Sequence, residues 1–294
     1  MKSGFVSIIG RPNVGKSTLL NSVLEAKVAI TSDKSGTTRN VIQGIYNDED
    51  SQMIFVDTPG IHKPVHKLGK VLNKSATSLI REVDLILFLV DAKDGLGPGD
   101  KFIIEKFKSV DIPVILVINK IDLISKEMLM SRVAAYKDLF NFAEIVPVSA
   151  ETDENVTTLI NVIKGYMPHN NKFFEGDAIT TVGKKFMISE YVREKLLRLT
   201  SEEIPHSITC VVVNYEEEEN IARIMVDIIV DRDAVKRIVI GKQGSLVKQV
   251  GIEARKDIEE LLGKKVYLEL YVKTIKKWRD KEKYFQELGF LDME

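Results

Sequence analysis

The sequence predicts an α/β domain built on a doubly wound, mostly parallel sheet, followed by a smaller α+β domain. Three observations carry this reading. The chain has 294 residues, more than the about 100 to 200 that one domain ordinarily holds. From residue 5 to about 165, short apolar runs without polar alternation take turns with helix-like segments, the pattern of strands covered on both faces by helices. Beyond that stretch the order becomes helix, two β-rich runs, helix, glycine turn, helix and strand, which is an α+β arrangement.

The strand candidates of the first domain are "FVSII", "VIQGIY", "MIFV", "LILFLV", "VILVI" and "IVPV". The stretch "GYMPHNNKFFEGD", 165 to 177, holds proline, glycine and paired asparagines with no sustained periodicity, so it reads as a linker. The expected division is 1–167, a linker at 168–180, and 181–294. In the second domain, a helix over "KFMISEYVREKLLRL" precedes the β-rich runs "ITCVVVNY" and "IARIMVDIIV". The four glutamates at 216 to 219 between those runs form a solvated hairpin tip.

Composition excludes several classes. Hydrophobic residues make up 44% and charged residues 29%, a profile that buries a core and argues against disorder. The single cysteine, Cys210, rules out a disulfide framework or a cysteine-rich metal site, and within "ITCVVV" it reads as a buried strand residue. The segment "MKSGFVSIIG" is too short an apolar stretch for a signal peptide. The longest apolar run, "LILFLV" at 85 to 90, is far below the about 20 residues that span a bilayer, so a cytoplasmic protein is expected. A formal net charge of −1 confines any nucleic-acid contact to a local patch.

The chemistry begins at "GRPNVGKST", 10 to 18. Gly10, four residues, Gly15, Lys16 and Ser17 form a phosphate-binding loop between a strand and a helix. Backbone N–H groups around Asn13, Val14, Gly15 and Thr18 wrap phosphates, Lys16 meets the outer ones, and Ser17 offers its hydroxyl to magnesium. Base identity comes from "NKID", 119 to 122. Asp122 can accept from the ring N–H and amine of guanine, and adenine offers no such pair; Asn119 can bond the other purine edge and Lys120 can lie along the ring. In "SAE", 149 to 151, backbone at Ser149 and Ala150 can receive the guanine oxygen. GTP and GDP are therefore the expected nucleotides, and a nucleotide kinase using ATP is the disfavoured alternative.

Between these motifs lies "DTPG", 57 to 60, where Asp57 orients a magnesium-bound water and the Gly60 N–H senses the terminal phosphate. The hydroxyls of "SGTTRN", 35 to 40, include a second magnesium ligand, Thr38, with Thr37 as the alternative. His62 and His66 are four apart, but Pro64 between them breaks the helix that would align a metal pair, so a switch loop is the better reading.

The set "GRPNVGKST", "GTTRN", "DTPG", "NKID" and "SAE" resembles the translation-factor-related branch of small GTPases. With "IVIGKQGSLVKQVGIEARKDIEELL" and "VKTIKKWRD", nearly the whole chain resembles the bacterial ribosome-assembly GTPases of that branch. The resemblance implies an α/β P-loop GTPase domain followed by an α+β type II KH domain. It also implies single-stranded RNA from the 3′ end of small-subunit ribosomal RNA, the small ribosomal subunit as partner, a monomer, and weak peripheral association with the inner membrane surface. It leads one to expect an aspartate where Thr181 stands. Related GTPases with an asparagine at the position of Asn13 use potassium to stabilise transferring charge. Ile61 stands where Ras-like enzymes carry a water-positioning glutamine, so unaided hydrolysis is expected to be slow.

A second glycine turn, Gly241, Lys242, Gln243, Gly244, lacks both the span and the Lys-Ser pair of a phosphate loop. It fits the GxxG loop of a KH domain, which clamps the backbone of about four single-stranded nucleotides. Ile240, Lys242 and Gln243 accompany the glycines in the expected RNA site, and Lys273, Lys277 and Trp278 extend it, the tryptophan as a stacking face. Ile238, Ile240, Val247 and Val250 have two readings, core packing for most of them and the floor of a base groove. A KH fold that docks a protein partner instead of RNA is the alternative.

Overall fold

The computed structural model describes residues 1–34, 36–60, 66–78, 82–176, 178–201 and 204–288. Contacts divide the chain into two compact units. One comprises Met1–Thr31, Thr38–Pro64 and Val71–Thr181, and the other Val182–Glu294 together with Ser32–Thr37 and Val65–Lys70.

In the first unit, β1 (Lys2–Gly10) leads to α1 (Lys16–Leu24), and β2 (Ile42–Asn47) and β3 (Ser51–Asp57) form a hairpin before α2 (Lys67–Ser78). There follow β4 (Leu85–Asp91), α3 (Pro98–Phe107), β5 (Val114–Asn119), α4 (Lys126–Lys137), β6 (Glu144–Pro147) and α5 (Val156–Tyr166). All six predicted runs are strands, in the order β2-β3-β1-β4-β5-β6, with only β2 antiparallel to its neighbour. Every residue of β4 and β5 is buried, which is why their sequences show no alternation. Phe88 of β4 meets Phe107 of α3 edge to face at 5.3 Å. Each such apolar side chain contributes about 1.5 to 3 kcal/mol on burial.

Local chemistry sets the helix starts. Pro98 opens α3 while the Gly97 N–H donates to Asp100 Oδ2 at 2.8 Å, and Ser125 Oγ caps α4 by accepting from the Met128 N–H at 3.3 Å. The strand order reverses direction about β1, whose neighbours β3 and β4 lead to opposite edges of the sheet. Ligands of open α/β sheets sit at the strand carboxyl ends at such a point.

The stretch expected as a linker is fastened to this unit. The Ser3 N–H donates to Pro168 O at 2.9 Å, the Ile45 N–H to Ile179 O at 2.9 Å, and Gln52 Oε1 accepts from the Phe173 and Phe174 N–H groups. Thr181 Oγ1 donates to Gln43 Oε1 at 3.3 Å, so the position where an aspartate was expected carries a neutral side-chain contact.

The second unit runs α6 (Lys184–Leu199), β7 (Ile208–Glu217), β8 (Ile221–Val230), α7 (Asp233–Ile240), α8 (Ser245–Leu262), β9 (Lys265–Thr274) and α9 (Lys283–Glu287). Its sheet has the order β7-β8-β9, with β8 and β9 parallel. Cys210 is buried in β7. Four charged residues of α6 are also buried, because Arg193 pairs with Glu190 at 2.7 Å and Glu194 with Lys195, which reaches Asp257 of α8 at 2.6 Å. Pairing at this depth offsets desolvation that an isolated charge could not bear. The glutamate run does turn the β7–β8 hairpin, but Glu217 is not merely solvated. Its carboxyl is held down to about 2 by the Tyr215 hydroxyl and by Lys264.

Candidate functional site

β1 ends at Gly10, and after five intervening residues α1 begins at Lys16, presenting its N-terminal N–H groups and positive dipole end to the intervening loop. Gly15 has φ 97°, and a Cβ there would come within 2.2 Å of Asn119 Nδ2; one on Gly10 would come within 2.4 Å of the Leu89 carbonyl oxygen. Both glycines are therefore demanded by the packing of the protein itself. Lys16 Nζ donates to Arg11 O at 3.1 Å and Gly10 O at 3.4 Å. Burial pushes this ammonium below the ordinary lysine range and the Asp57 carboxyl above the ordinary aspartate range, each shift partly offset by the charge of the other.

Asp57, at the end of β3, gathers the hydroxyls. Ser17 Oγ donates to Asp57 Oδ2 at 2.7 Å and lies 2.8 Å from Thr38 Oγ1, which reaches the same carboxylate oxygen at 3.3 Å. Asp57 Oδ1 is buried without a hydrogen-bond partner, an arrangement that costs free energy unless a ligand supplies one. Thr37 bonds locally instead, donating to Lys34 O at 2.6 Å and pairing with Ser32 Oγ at 2.7 Å. Gly60 packs so closely that a Cβ would lie 2.9 Å from Pro12 N, which sets "DTPG" against the phosphate loop. Ile61 and His62 lie outside the described residues. Among those described, no cluster of three His, Cys, Asp or Glu side chains could hold a metal.

The turn at 119–122 is tied to the same loop. Asn119 Nδ2 donates to Val14 O at 2.9 Å and its Oδ1 accepts from the Ala150 N–H at 3.0 Å, so this amide is a strut between loops. The Ser149 N–H is likewise engaged, donating to Glu154 O at 3.0 Å. A guanine oxygen would thus have to share these donors with protein acceptors. Lys120 Nζ donates to Asn13 O at 2.7 Å, and Asp122 is exposed in the short turn Ile121–Leu123. Thr18 is half-buried in the first turn of α1. Sequence reading missed Arg11, whose Nε donates to the buried Asp100 at 2.8 Å and whose Nη2 donates to Gly95 O at 3.1 Å. These bonds anchor the loop to the start of α3; the aspartate three residues into a proline-led helix was the available signal.

On the second unit, Gly241 and Gly244 have φ 76° and 78°, and Lys242 and Gln243 are exposed between them. A Cβ on Gly241 would meet Leu246 N at 2.8 Å, whereas nothing lies within 4 Å of one on Gly244. Glycine at 241 is required by the protein's own backbone, independently of any approaching ligand. Beside the turn-bearing helix lies a groove of ≈ 340 Å³ lined in part by Val247, Gly251, Leu268 and Leu270, with Lys248 and Arg255 adding cations. Residues 248, 251, 252 and 255 share one helical face, a spacing legible in the sequence but not singled out.

Some expectations for this surface do not hold. Trp278 is fully buried and donates from Nε1 to Ser207 O at 3.0 Å, so it cannot stack on a base. Ile238 is 50% exposed and is no core residue, whereas Val250 is buried and Ile240 and Val247 are half-buried. Lys273 alternates away from Leu268 and Leu270 along β9 and is paired with Asp227 at 2.5 Å. Lys277 is exposed beyond the strand end.

A nucleotide crevice of this build on one unit and a glycine turn beside an apolar groove on the other define the class: a P-loop GTPase with a C-terminal KH domain. Residues 5–120 match the family described as "50S ribosome-binding GTPase" and residues 203–279 the family described as "KH domain". The chain is 51% identical over 293 residues to GTPase Era of Staphylococcus haemolyticus (strain JCSC1435), covering 99% of this chain and 98% of that one. The chain belongs to the Era family of GTPases. Two solved structures each match 99% of both chains. One is an Aquifex aeolicus Era variant bound to GDP.AlF4, at TM-score 0.94 and 39% identity. The other is Era in complex with MgGDPNP and nucleotides 1506–1542 of 16S ribosomal RNA, at TM-score 0.96 and 40% identity. Among the described residues no helix is long and apolar enough to cross a membrane.

Proposed function

We propose that the protein is a GTP-hydrolysing switch that binds the single-stranded 3′ end of small-subunit ribosomal RNA and assists assembly of that subunit. The observation that carries the enzymatic half is the convergence of Ser17, Thr38 and Asp57, with one Asp57 oxygen unsatisfied, beside a base-reading turn locked to the phosphate loop. The RNA half is supported by the exposed turn at 241–244 and by the 16S ribosomal RNA complex of the Era neighbour. Residues 1–167 are read as the GTPase domain, 168–180 as the joining segment and 181–294 as the RNA-binding domain. We read the protein as a cytoplasmic monomer, a reading that the ribosomal RNA partner of the Era neighbour supports.

The donor set of two hydroxyls and a carboxylate is hard oxygen, which suits magnesium. Ser17, Thr38 and Asp57 would hold that ion, which supplies charge neutralisation at the β- and γ-phosphates. Lys16 exchanges its backbone carbonyl partners for phosphate oxygens, and the Gly60 N–H donates to the terminal phosphate. Thr38→Ala is therefore expected to lower magnesium-dependent binding of a GTP analogue at least about tenfold, the worth of one charge-assisted contact. Thr37→Ala should lower it far less; the reverse order would reassign the ligand.

Asn13 would hold potassium beside the phosphates, partly replacing an arginine finger, whose typical worth is about 10³ to 10⁵ in rate. The experiment is steady-state GTP hydrolysis in potassium and in sodium, with ATP as competitor. Turnover should be severalfold faster in potassium, insensitive to ATP, and equal in the two salts for Asn13→Ala. Equal rates in the native protein would remove the potassium role, and competition by ATP would return the kinase reading.

A further inference from the structure

We propose that Asp91 is a positioning residue of the nucleotide site, acting through Lys120 to clamp the base-reading turn onto the phosphate loop. Asp91 ends β4 and stands opposite Asn119 in the parallel register with β5. Its carboxylate is 6% exposed. Oδ1 accepts from the backbone N–H groups of Lys93 at 2.8 Å and Asp94 at 3.2 Å, so the carboxylate is fixed by its own turn. Oδ2 lies 2.5 Å from Lys120 Nζ. The same ammonium donates to Asn13 O at 2.7 Å.

One cation therefore joins three chain segments: the end of β4, the residue after β5, and the middle of the phosphate loop. Lys120 and Asn13 both have left-handed backbone, with φ 67° and 65°, conformations that non-glycine residues keep only where their surroundings over-determine them. A lysine stem has four rotatable bonds and little preference of its own. The charge-assisted bond from a fixed, nearly buried carboxylate is what selects the rotamer that reaches Asn13. Lys120 precedes Asp122 in the turn and Asn13 lies in the phosphate loop, so the clamp sets the spacing between the group that reads the base and the groups that hold the phosphates. The occupant it serves is a guanine nucleotide bound at both ends, and in this the inference rests on the function proposed above.

The test is dissociation of a fluorescent GDP and a fluorescent GTP analogue from the full-length protein. Asp91→Asn keeps an oxygen for the Lys93 and Asp94 N–H groups and removes the charge facing Lys120. Asp91→Ser does the same with a hydroxyl and serves if the first variant misfolds. Either is expected to release both nucleotides about tenfold faster, the worth of one charge-assisted hydrogen bond. In a Lys120→Met background the same substitution should add less than about twofold, because the effect passes through Lys120. Unchanged release, or effects that multiply in the double variant, would overturn the proposal and leave Asp91 as a strand terminus. Failure of the underlying reading looks different, since GTP would then be lost from neither Asp91→Asn nor Asp122→Asn.

Discussion

Replacing Asp122 with asparagine is expected to weaken GTP binding by about 10²- to 10⁴-fold and to make xanthosine triphosphate the better ligand. A carboxylate reading guanine would accept two hydrogen bonds, each worth about 1.5 to 3 kcal/mol when one partner is charged, and asparagine turns one acceptor into a donor. Xanthine carries an oxygen where guanine carries its amine, so the asparagine N–H₂ meets an acceptor there. Asp122 is exposed in a three-residue helical turn, so the fold should be indifferent to the change. Displacement of a fluorescent guanine nucleotide by GTP, xanthosine triphosphate and ATP measures all three affinities. Unchanged GTP affinity would mean that another group reads the base.

Placing aspartate at both Lys242 and Gln243 is expected to lower affinity for single-stranded RNA at least about 100-fold. Two negative charges would face the phosphate backbone where one lysine charge stood. Both side chains are exposed, and Gln243, at φ 50°, occupies a left-handed conformation that aspartate tolerates. Exposed substitutions of this kind usually cost under about 0.5 kcal/mol, so the melting temperature should hold. GTP hydrolysis should persist as well, because the phosphate loop lies in the other unit. The salt dependence of residual RNA binding should become shallower as phosphate contacts are lost. A folded double variant with undiminished RNA affinity would make the turn a structural corner and favour a protein partner for this domain.

What the sequence revealed and what it hid follow from the range of the interactions involved. "LILFLV" declared a doubly buried strand because a parallel strand under two helix layers must be apolar throughout. The phosphate loop was legible because its glycines and its Lys-Ser pair answer to local backbone needs at fixed spacing. Asn119 was found, but its second role as a strut was hidden, since its partners Val14 and Ala150 are 105 and 31 residues away. Arg11 and Asp91 were passed over for the same reason: a charged residue in a loop or at a strand end looks solvated until the fold delivers its partner. Trp278 misled because an aromatic among lysines suggests a stacking face, whereas the fold turns the indole inward onto Ser207. The charges of α6 were not legible as buried, because a polar helix pattern conceals burial made tolerable by pairing.

In the proposed function one chain couples guanine-nucleotide chemistry to single-stranded ribosomal RNA. The most direct test is ultraviolet crosslinking of the full-length protein to cellular RNA, loaded in parallel with a non-hydrolysable GTP analogue and with GDP. The native protein should capture the 3′ end of small-subunit ribosomal RNA to different extents in the two nucleotide states, and the Lys242→Asp, Gln243→Asp variant should lose it in both. Equal capture with either nucleotide, or crosslinks without enrichment of that RNA end, would contradict the account.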